Sequence, residues 1–296
     1  MRHKLEKIKE IIEELLAEID NPIVQEDEEN NLSEEFFVLK KLLDTEDWPE
    51  AVYSAQIADE NLEQDKEERA EGISDMILPP LDNKKFLDLG CGEGHVSKYN
   101  SKFAEISVGF DIRVPEKSPF EWEKEEEKFL LTTDFEKVRE KGPYDVILLY
   151  DVLDHTEEET MDQILDRAKS VLKEDGLIYL RCHPWCGRHG GHFYRTINKA
   201  FVHVVFEEDE LRFLGLDPQP NQKVFYPIKT YDEMIEKAGL SKHLETEIDT
   251  QEVENFFEEN PLVRSRIIKA FDIDSWGDNP PKFQMSQCFL DFVLKK

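Results

Sequence analysis

Phe86-Leu87-Asp88-Leu89-Gly90-Cys91-Gly92-Glu93-Gly94-His95-Val96 decides the fold of this chain. An apolar run interrupted only by Asp88 is followed by three glycines at alternate positions, and then by residues that can open a helix. Glycine adopts positive φ without steric cost, so the composition is that of a tight strand-to-helix turn against which a nucleoside can lie. In the dinucleotide fingerprint the glycines run G-x-G-x-x-G and a pyrophosphate rests on the helix N-terminus. Here they run G-x-G-x-G, with an acid two residues before the first, a pattern that argues against a nicotinamide dinucleotide.

From residue 85 onward, strand-like and helix-like segments alternate. Strands are expected at 85–89, 106–111, 128–132, 145–150, 177–182, 243–248 and 288–294. The helix after the fourth strand carries a predicted capping box, Thr156 with Glu159, and a buried face of Met161, Ile164, Leu165, Ala168 and Leu172. Asp175-Gly176 is the expected turn into the fifth strand. A second predicted capping box, Thr230 with Glu233, opens a helix ending at Ala238-Gly239, and a helical insertion is expected over 251–270. Such alternation predicts an α/β fold, a mostly parallel sheet with helices on both faces.

The N-terminal part differs. About half of the formal net charge of −30 falls within the first 72 residues. Leu5, Ile8, Ile12, Leu15 and Ile19 recur at helical spacing up to Asn21-Pro22, as an amphipathic helix that either packs on its own domain or pairs with a second copy. Helices are also expected at 35–43, capped by Ser33, and at 63–73. The predicted division is therefore an acidic helical extension, 1–80, and a main domain, 81–296, in which 183–229 form an acceptor loop and lid.

At 296 residues the chain has room for one large α/β domain with extensions. Charged residues make up 35%, against about 25% in an average soluble domain. A negative field of this size disfavours nucleic acid and anionic membrane as partners. No apolar stretch approaches the roughly 20 residues needed to cross a bilayer. The charged N-terminus and four cysteines, too few for a disulfide framework, lead to the expectation of a cytoplasmic protein.

The run from Asp88 to Gly94 resembles motif I of the class I S-adenosylmethionine-dependent methyltransferases. Three later stretches resemble that family in the same order: Val108-Gly109-Phe110-Asp111, Leu131-Thr132-Thr133-Asp134-Phe135, and Tyr144 through His155. The resemblance covers most of 85–296 except the insertions. It implies a Rossmann-like seven-stranded sheet, S-adenosylmethionine as cofactor, and a cofactor site built from Asp88, Leu89, Gly90, Cys91, Gly92, Gly94, Asp111, Ile112, Thr133, Asp134, Phe135, Tyr150 and Asp151. Asp88 is expected to meet the amino group and Asp111 the ribose hydroxyls, while Asp134 either lies beside adenine or caps a helix.

The acceptor side is carried by Arg181-Cys182-His183-Pro184-Trp185-Cys186-Gly187-Arg188-His189-Gly190-Gly191-His192, which leaves the fifth strand at the edge where open α/β sheets bind ligands. Three readings stand. The loop binds an anionic or oxygen-rich small molecule, with Arg188 and His183, His189 or His192, together with His155 beyond the fourth strand, as catalytic candidates. Alternatively Cys182, Cys186, His189 and His192 hold zinc, although the spacing matches no common finger. The third reading is purely structural. The functions that remain are methyl transfer to an oxygen or nitrogen nucleophile of a small or medium-sized acceptor, modification of a nucleic acid or its end, and a non-catalytic cofactor-binding scaffold.

Overall fold

The computed structural model describes residues 32–51, 63–153, 156–182, 187–188, 191, 193–217, 228–245, 251–270 and 290–296. The N-terminal amphipathic stripe, 5–19, lies outside them. Among the described residues two helices precede the sheet, α1 (Glu34–Leu43) and α2 (Glu63–Ile77). Ser33 caps α1 as its position predicts, its Oγ accepting from the Phe36 amide at 3.1 Å. α2 runs four residues beyond the expected end.

Seven strands then form one sheet among the described residues: β1 (Lys85–Leu89), β2 (Ile106–Phe110), β3 (Phe129–Thr132), β4 (Tyr144–Tyr150), β5 (Leu172–Cys182), β6 (Ser241–Glu245) and β7 (Leu290–Lys295). Their spatial order is β3-β2-β1-β4-β5-β7-β6, with every pairing parallel except those of β7. Because β7 is antiparallel to both β5 and β6, the C-terminal ends of β5 and β6 and the start of β7 share one edge with the glycine turn.

The strands are buried on both sides, which accounts for their near-continuous apolar composition. Leu87, Leu89, Ile147, Leu149, Ile178 and Leu180 face one core, covered by α4 (Phe135–Lys141), α5 (Glu158–Val171) and α8 (Ile228–Lys237). Phe86, Val146, Leu148 and Tyr179 alternate onto the other face, against Ile73 and Ile77 of α2 and Val96 of α3 (His95–Asn100). Successive strand residues thus divide between two helical layers.

A third core contains no strand residue. α1 and Trp48 share it with α6 (Val202–Val205), α7 (Glu208–Phe213), α9 (Gln251–Glu259) and α10 (Pro261–Ala270). Phe36 meets Phe206 and Phe213 edge to face, and the Trp48 indole N–H donates to the Ala200 carbonyl at 2.7 Å. Segments far apart in sequence therefore build one cap, fed by the two connections that leave the ligand edge of the sheet.

Three local expectations are corrected and a fourth is made finer. The N-cap of α5 is Glu157, not Thr156, because the Thr156 hydroxyl closes a turn onto the Leu153 carbonyl at 2.9 Å. Asp175-Gly176 does not turn the chain into a new strand. β5 begins at Leu172 opposite Tyr144, and the register then jumps to Val146 opposite Leu177, so the intervening residues bulge out of one continuous strand. α8 begins at Ile228, which places Thr230 inside its first turn. The insertion at 251–270 is two helices, divided where Pro261 takes the first position of α10.

Candidate functional site

The glycine turn is fastened to the neighbouring strand. The amides of Gly90 and Cys91 both donate to the Phe110 carbonyl, at 2.8 and 3.0 Å. Gly90, Gly92 and Gly94 hold φ of 90°, 52° and 92°, a backbone that side-chain-bearing residues adopt only at a cost. At Gly90 a Cβ would also lie 2.4 Å from Val152. Gly94 is then the left-handed N-cap of α3.

Asp111 closes this turn from β2. Its Oδ2 accepts from the Gly92 amide at 2.9 Å and its Oδ1 from the Ile112 amide at 2.8 Å. Asp88 stands beneath the turn, 4% exposed, with its Oδ2 accepting from the Ser97 hydroxyl at 2.8 Å. Burial raises the Asp88 carboxyl to about 7, with the charge of Asp111 adding to the effect and the Ser97 hydrogen bonds opposing it. Burial and the same two carboxylates push the Cys91 thiol well up, so it stays protonated and unreactive.

These groups open on a cavity of about 320 Å³. It is lined by Asp88 and the glycine turn, by Tyr150 and Asp151 at the end of β4, and by α2, which contributes Lys66, Arg69, Ala70 and Ile73. Asp151 sits at φ 53°, a strained value of the kind found at ligand sites, and its amide donates to the Arg181 carbonyl at 2.9 Å. The guanidinium groups of Arg69 and Arg181 each lie 5.8 Å from the centroid of the Tyr150 ring. Burial raises the Tyr150 hydroxyl, and the charge of Asp151 adds to it.

The donor set fits S-adenosylmethionine. A Cβ on Gly92 would meet nothing, so the backbone there is bare toward the ligand side. A buried carboxylate suited to an ammonium group stands below the turn, and the edge carries both acids and cations. The residues that would hold the cofactor are Asp88, Gly90 and Gly92 at its amino-acid end and Asp111 with Ile112 toward the ribose. Ile112 is 82% exposed, an apolar surface left for a ligand to cover.

Three of the expected contacts also hold the local fold. Asp134 caps α4, accepting from the Glu136 amide at 2.9 Å, and Phe135 packs edge to face on Phe110. Thr133 is held through its amide, at 2.7 Å, by Glu123, a residue that motif reasoning passed over. Glu123 sits at φ 61° and also accepts from the hydroxyls of Thr132 and Thr133 and from Lys137. Although burial works the other way, these hydrogen bonds hold its carboxyl down at about 2.

On the acceptor side, Arg181 is bound bidentately to Asp291 of β7, both contacts 2.5 Å, and so ties two strands together. Arg188 is 8% exposed and donates to the Glu50 carbonyl at 3.0 Å and to Glu252 at 3.2 Å, joining its loop to the segment after α1 and to α9. Cys182 is buried at the end of β5. His155, His183, His189, His192 and Cys186 lie outside the described residues. Among the described residues no group of three or more His, Cys, Asp or Glu side chains is placed to hold a metal ion.

Lys66 and Arg69 were also missed. The available signal was that they are the only basic residues between Lys41 and Lys84. Among the described residues no helix is long and apolar enough to cross a membrane.

A family model described as a methyltransferase domain matches residues 61–245. A ubiquinone biosynthesis O-methyltransferase from Pelagibacter ubique is 26% identical over 171 residues, a stretch that covers 55% of this chain and 63% of the relative. Among solved structures, a SAM-dependent methyltransferase from Archaeoglobus fulgidus aligns over 78% of this chain and 94% of its own, at 15% identity and a TM-score of 0.44. The cyclopropane synthase MmaA2 from Mycobacterium tuberculosis aligns over 90% and 95%, at 15% identity and a TM-score of 0.45.

Proposed function

The chain belongs to the methyltransferase-domain family, its cofactor is S-adenosylmethionine, and we propose that the whole protein methylates an oxygen or nitrogen nucleophile of a small or medium-sized acceptor. The observation that carries this reading is the cavity between the glycine turn, the end of β4 and α2, at the edge of the sheet from which the helical cap springs. The printed name of the Pelagibacter relative supports an oxygen acceptor.

When bound, the cofactor supplies a methyl group on a sulfonium, an electrophile that needs no acid to activate it. The chain's part is alignment. Asp88 and the bare backbone of the turn fix the amino-acid end, Asp111 fixes the ribose, and neither has to reorganise because Ser97 and the Gly92 amide already hold them. The cap above the same edge encloses the acceptor and excludes water, which would otherwise compete as nucleophile. Where the acceptor carries a proton, His155 or a histidine of the 183–192 loop receives it. Arg188, bonded to Glu50 and Glu252, positions that loop.

Calorimetry with S-adenosylhomocysteine and with NAD tests the donor half, and binding of NAD alone overturns it. Transfer of labelled methyl from S-adenosylmethionine into a lysate, extracted for small molecules and treated separately with nuclease and protease, tests the acceptor half. Label confined to a nuclease-sensitive fraction would sink the small-molecule reading.

A further inference from the structure

Gly72 sits inside α2, where a glycine weakens a helix relative to alanine. Among the described residues nothing around it calls for one. Its φ is not positive, and apart from the helix's own backbone a Cβ there would meet no atom within 4 Å. Two residues on, the Ser74 hydroxyl donates back to the Ala70 carbonyl at 2.7 Å, across the glycine. Such i to i−4 bonds bend helices, and Gly with Ser close by marks the points where helices kink.

The two halves of α2 on either side of this point are held differently. On the C-terminal side, Ile73 is buried against the sheet and Ile77 packs beside it. Asn100 Nδ2 of α3 donates to Ser74 Oγ at 2.9 Å and fixes the same turn. On the N-terminal side, Ala70 is the one buried side chain of residues 66–71. Polar contacts add to it: Lys66 Nζ lies 2.6 Å from Glu93 Oε2 on the glycine turn, Tyr99 Oη donates to Glu71 Oε1 at 3.1 Å, and the Arg69 guanidinium lies over the Tyr150 ring. The Lys66 and Glu93 side chains are 33% and 26% exposed, and an ion pair that water can reach opens at small free-energy cost.

This weakly held half also lines the cavity, through Lys66, Arg69 and Ala70. We propose that residues 66–71 form a flap, hinged at Gly72 and latched to the glycine turn by the Lys66–Glu93 ion pair, which opens to admit S-adenosylmethionine and to release S-adenosylhomocysteine. This role rests on the S-adenosylmethionine reading of the cavity and gives that site its route of entry and exit. Closed, the flap completes the cavity of about 320 Å³; swung away about Gly72, it lays the glycine turn open to solvent. A latch between two parts of the protein, rather than to the ligand, sets the rate of exchange more than the affinity.

Stopped-flow measurement of S-adenosylhomocysteine association and release tests the flap in the full chain. Gly72→Ala stiffens the hinge without adding a contact to the cavity. It is expected to slow both rates by roughly fivefold, the factor set by the difference in helix propensity, and to keep the dissociation constant within about twofold of wild type. Lys66→Met removes the latch and is expected to speed release by roughly two- to fivefold. A Gly72→Ala protein that melts higher but exchanges ligand at wild-type rates overturns the flap, as does slowing of one rate alone. Release from Lys66→Met no faster than from wild type overturns the latch. If wild type binds no S-adenosylhomocysteine, the cofactor reading itself fails, an outcome distinct from failure of the hinge.

Discussion

Asp111 Oδ2 holds the Gly92 amide at 2.9 Å, so the glycine turn after β1 and the acid ending β2 are one hydrogen-bonded unit. The same carboxylate accepts from the Ile112 amide through Oδ1. One side chain thereby orders the turn and presents its remaining lone pairs to the ligand edge. Asp111→Ala removes both roles and is expected to weaken S-adenosylhomocysteine binding at least tenfold. Asp111→Asn, whose amide oxygen still accepts from one backbone N–H, is expected to lose less. Titration calorimetry of the two variants checks the order, and equal affinity in wild type and Asp111→Ala contradicts the site map.

Asp88 makes ligand binding depend on pH. Its carboxyl is raised to about 7 in the folded protein, and only the carboxylate form attracts an ammonium. Affinity for S-adenosylhomocysteine is therefore expected to fall as pH drops from 8 to 6, and Asp88→Asn to bind weakly with a flatter profile.

The same shift has a stability consequence of the opposite sense. A folded-state value above the ordinary 3.8 means that Asp88 favours the folded state below pH 3.8 and that this contribution is lost as pH rises to about 7. Asp88→Asn is accordingly expected to melt higher than wild type at pH 8, with the advantage shrinking toward pH 4. Melting curves without ligand at both ends of that range read the difference directly.

The sheet was legible because its determinants are local. The apolar run before Gly90, the acids Asp88 and Asp111, and the near-continuous burial of β1 and β4 are each set within a few residues. Asp88, Gly90, Gly92 and Asp111 stand out in the sequence for the same reason, and the structure sets the first three around one cavity with Asp111 bonded to the Gly92 amide. Arg69 was not legible, because it reaches the site only through the packing of α2 against the sheet and α3, a pairing that no periodicity encodes. Glu123 was hidden in a run of acids at 121–127 that reads as solvated charge. The cap is the clearest case: Phe36, Phe206 and Phe256 share a core although more than two hundred residues separate the first from the last.

Glu123 fastens the loop after β2 to the end of β3. Glu123→Ala leaves the Thr133 amide and the Lys137 ammonium without their acceptor. The site is half-exposed, so the fold is expected to survive, with global stability lowered by about 1 kcal/mol. The amide of Thr133 should exchange with solvent much faster than in wild type. Unchanged exchange at that amide would show that the loop is held by other contacts.

Arg266 and Glu210 form the ionic centre of the helical cap, and both are buried. Nη1 and Nη2 of Arg266 on α10 lie 3.2 and 3.1 Å from the two carboxylate oxygens of Glu210 on α7. Ser33, the cap residue of α1, touches the same guanidinium at 3.4 Å, so the pair joins all three segments of the cap. Removing one partner strands a buried charge, and Arg266→Ala is expected to destabilise the cap by about 3–5 kcal/mol. Replacing both, as Arg266→Met with Glu210→Leu, is expected to restore most of that. The cap core is separate from the two cores on the sheet. Arg266→Ala should therefore reduce methyl transfer to the acceptor while S-adenosylhomocysteine still binds. If cofactor affinity falls in parallel with transfer, the cap and the sheet are a single cooperative unit and the division of labour between them is wrong.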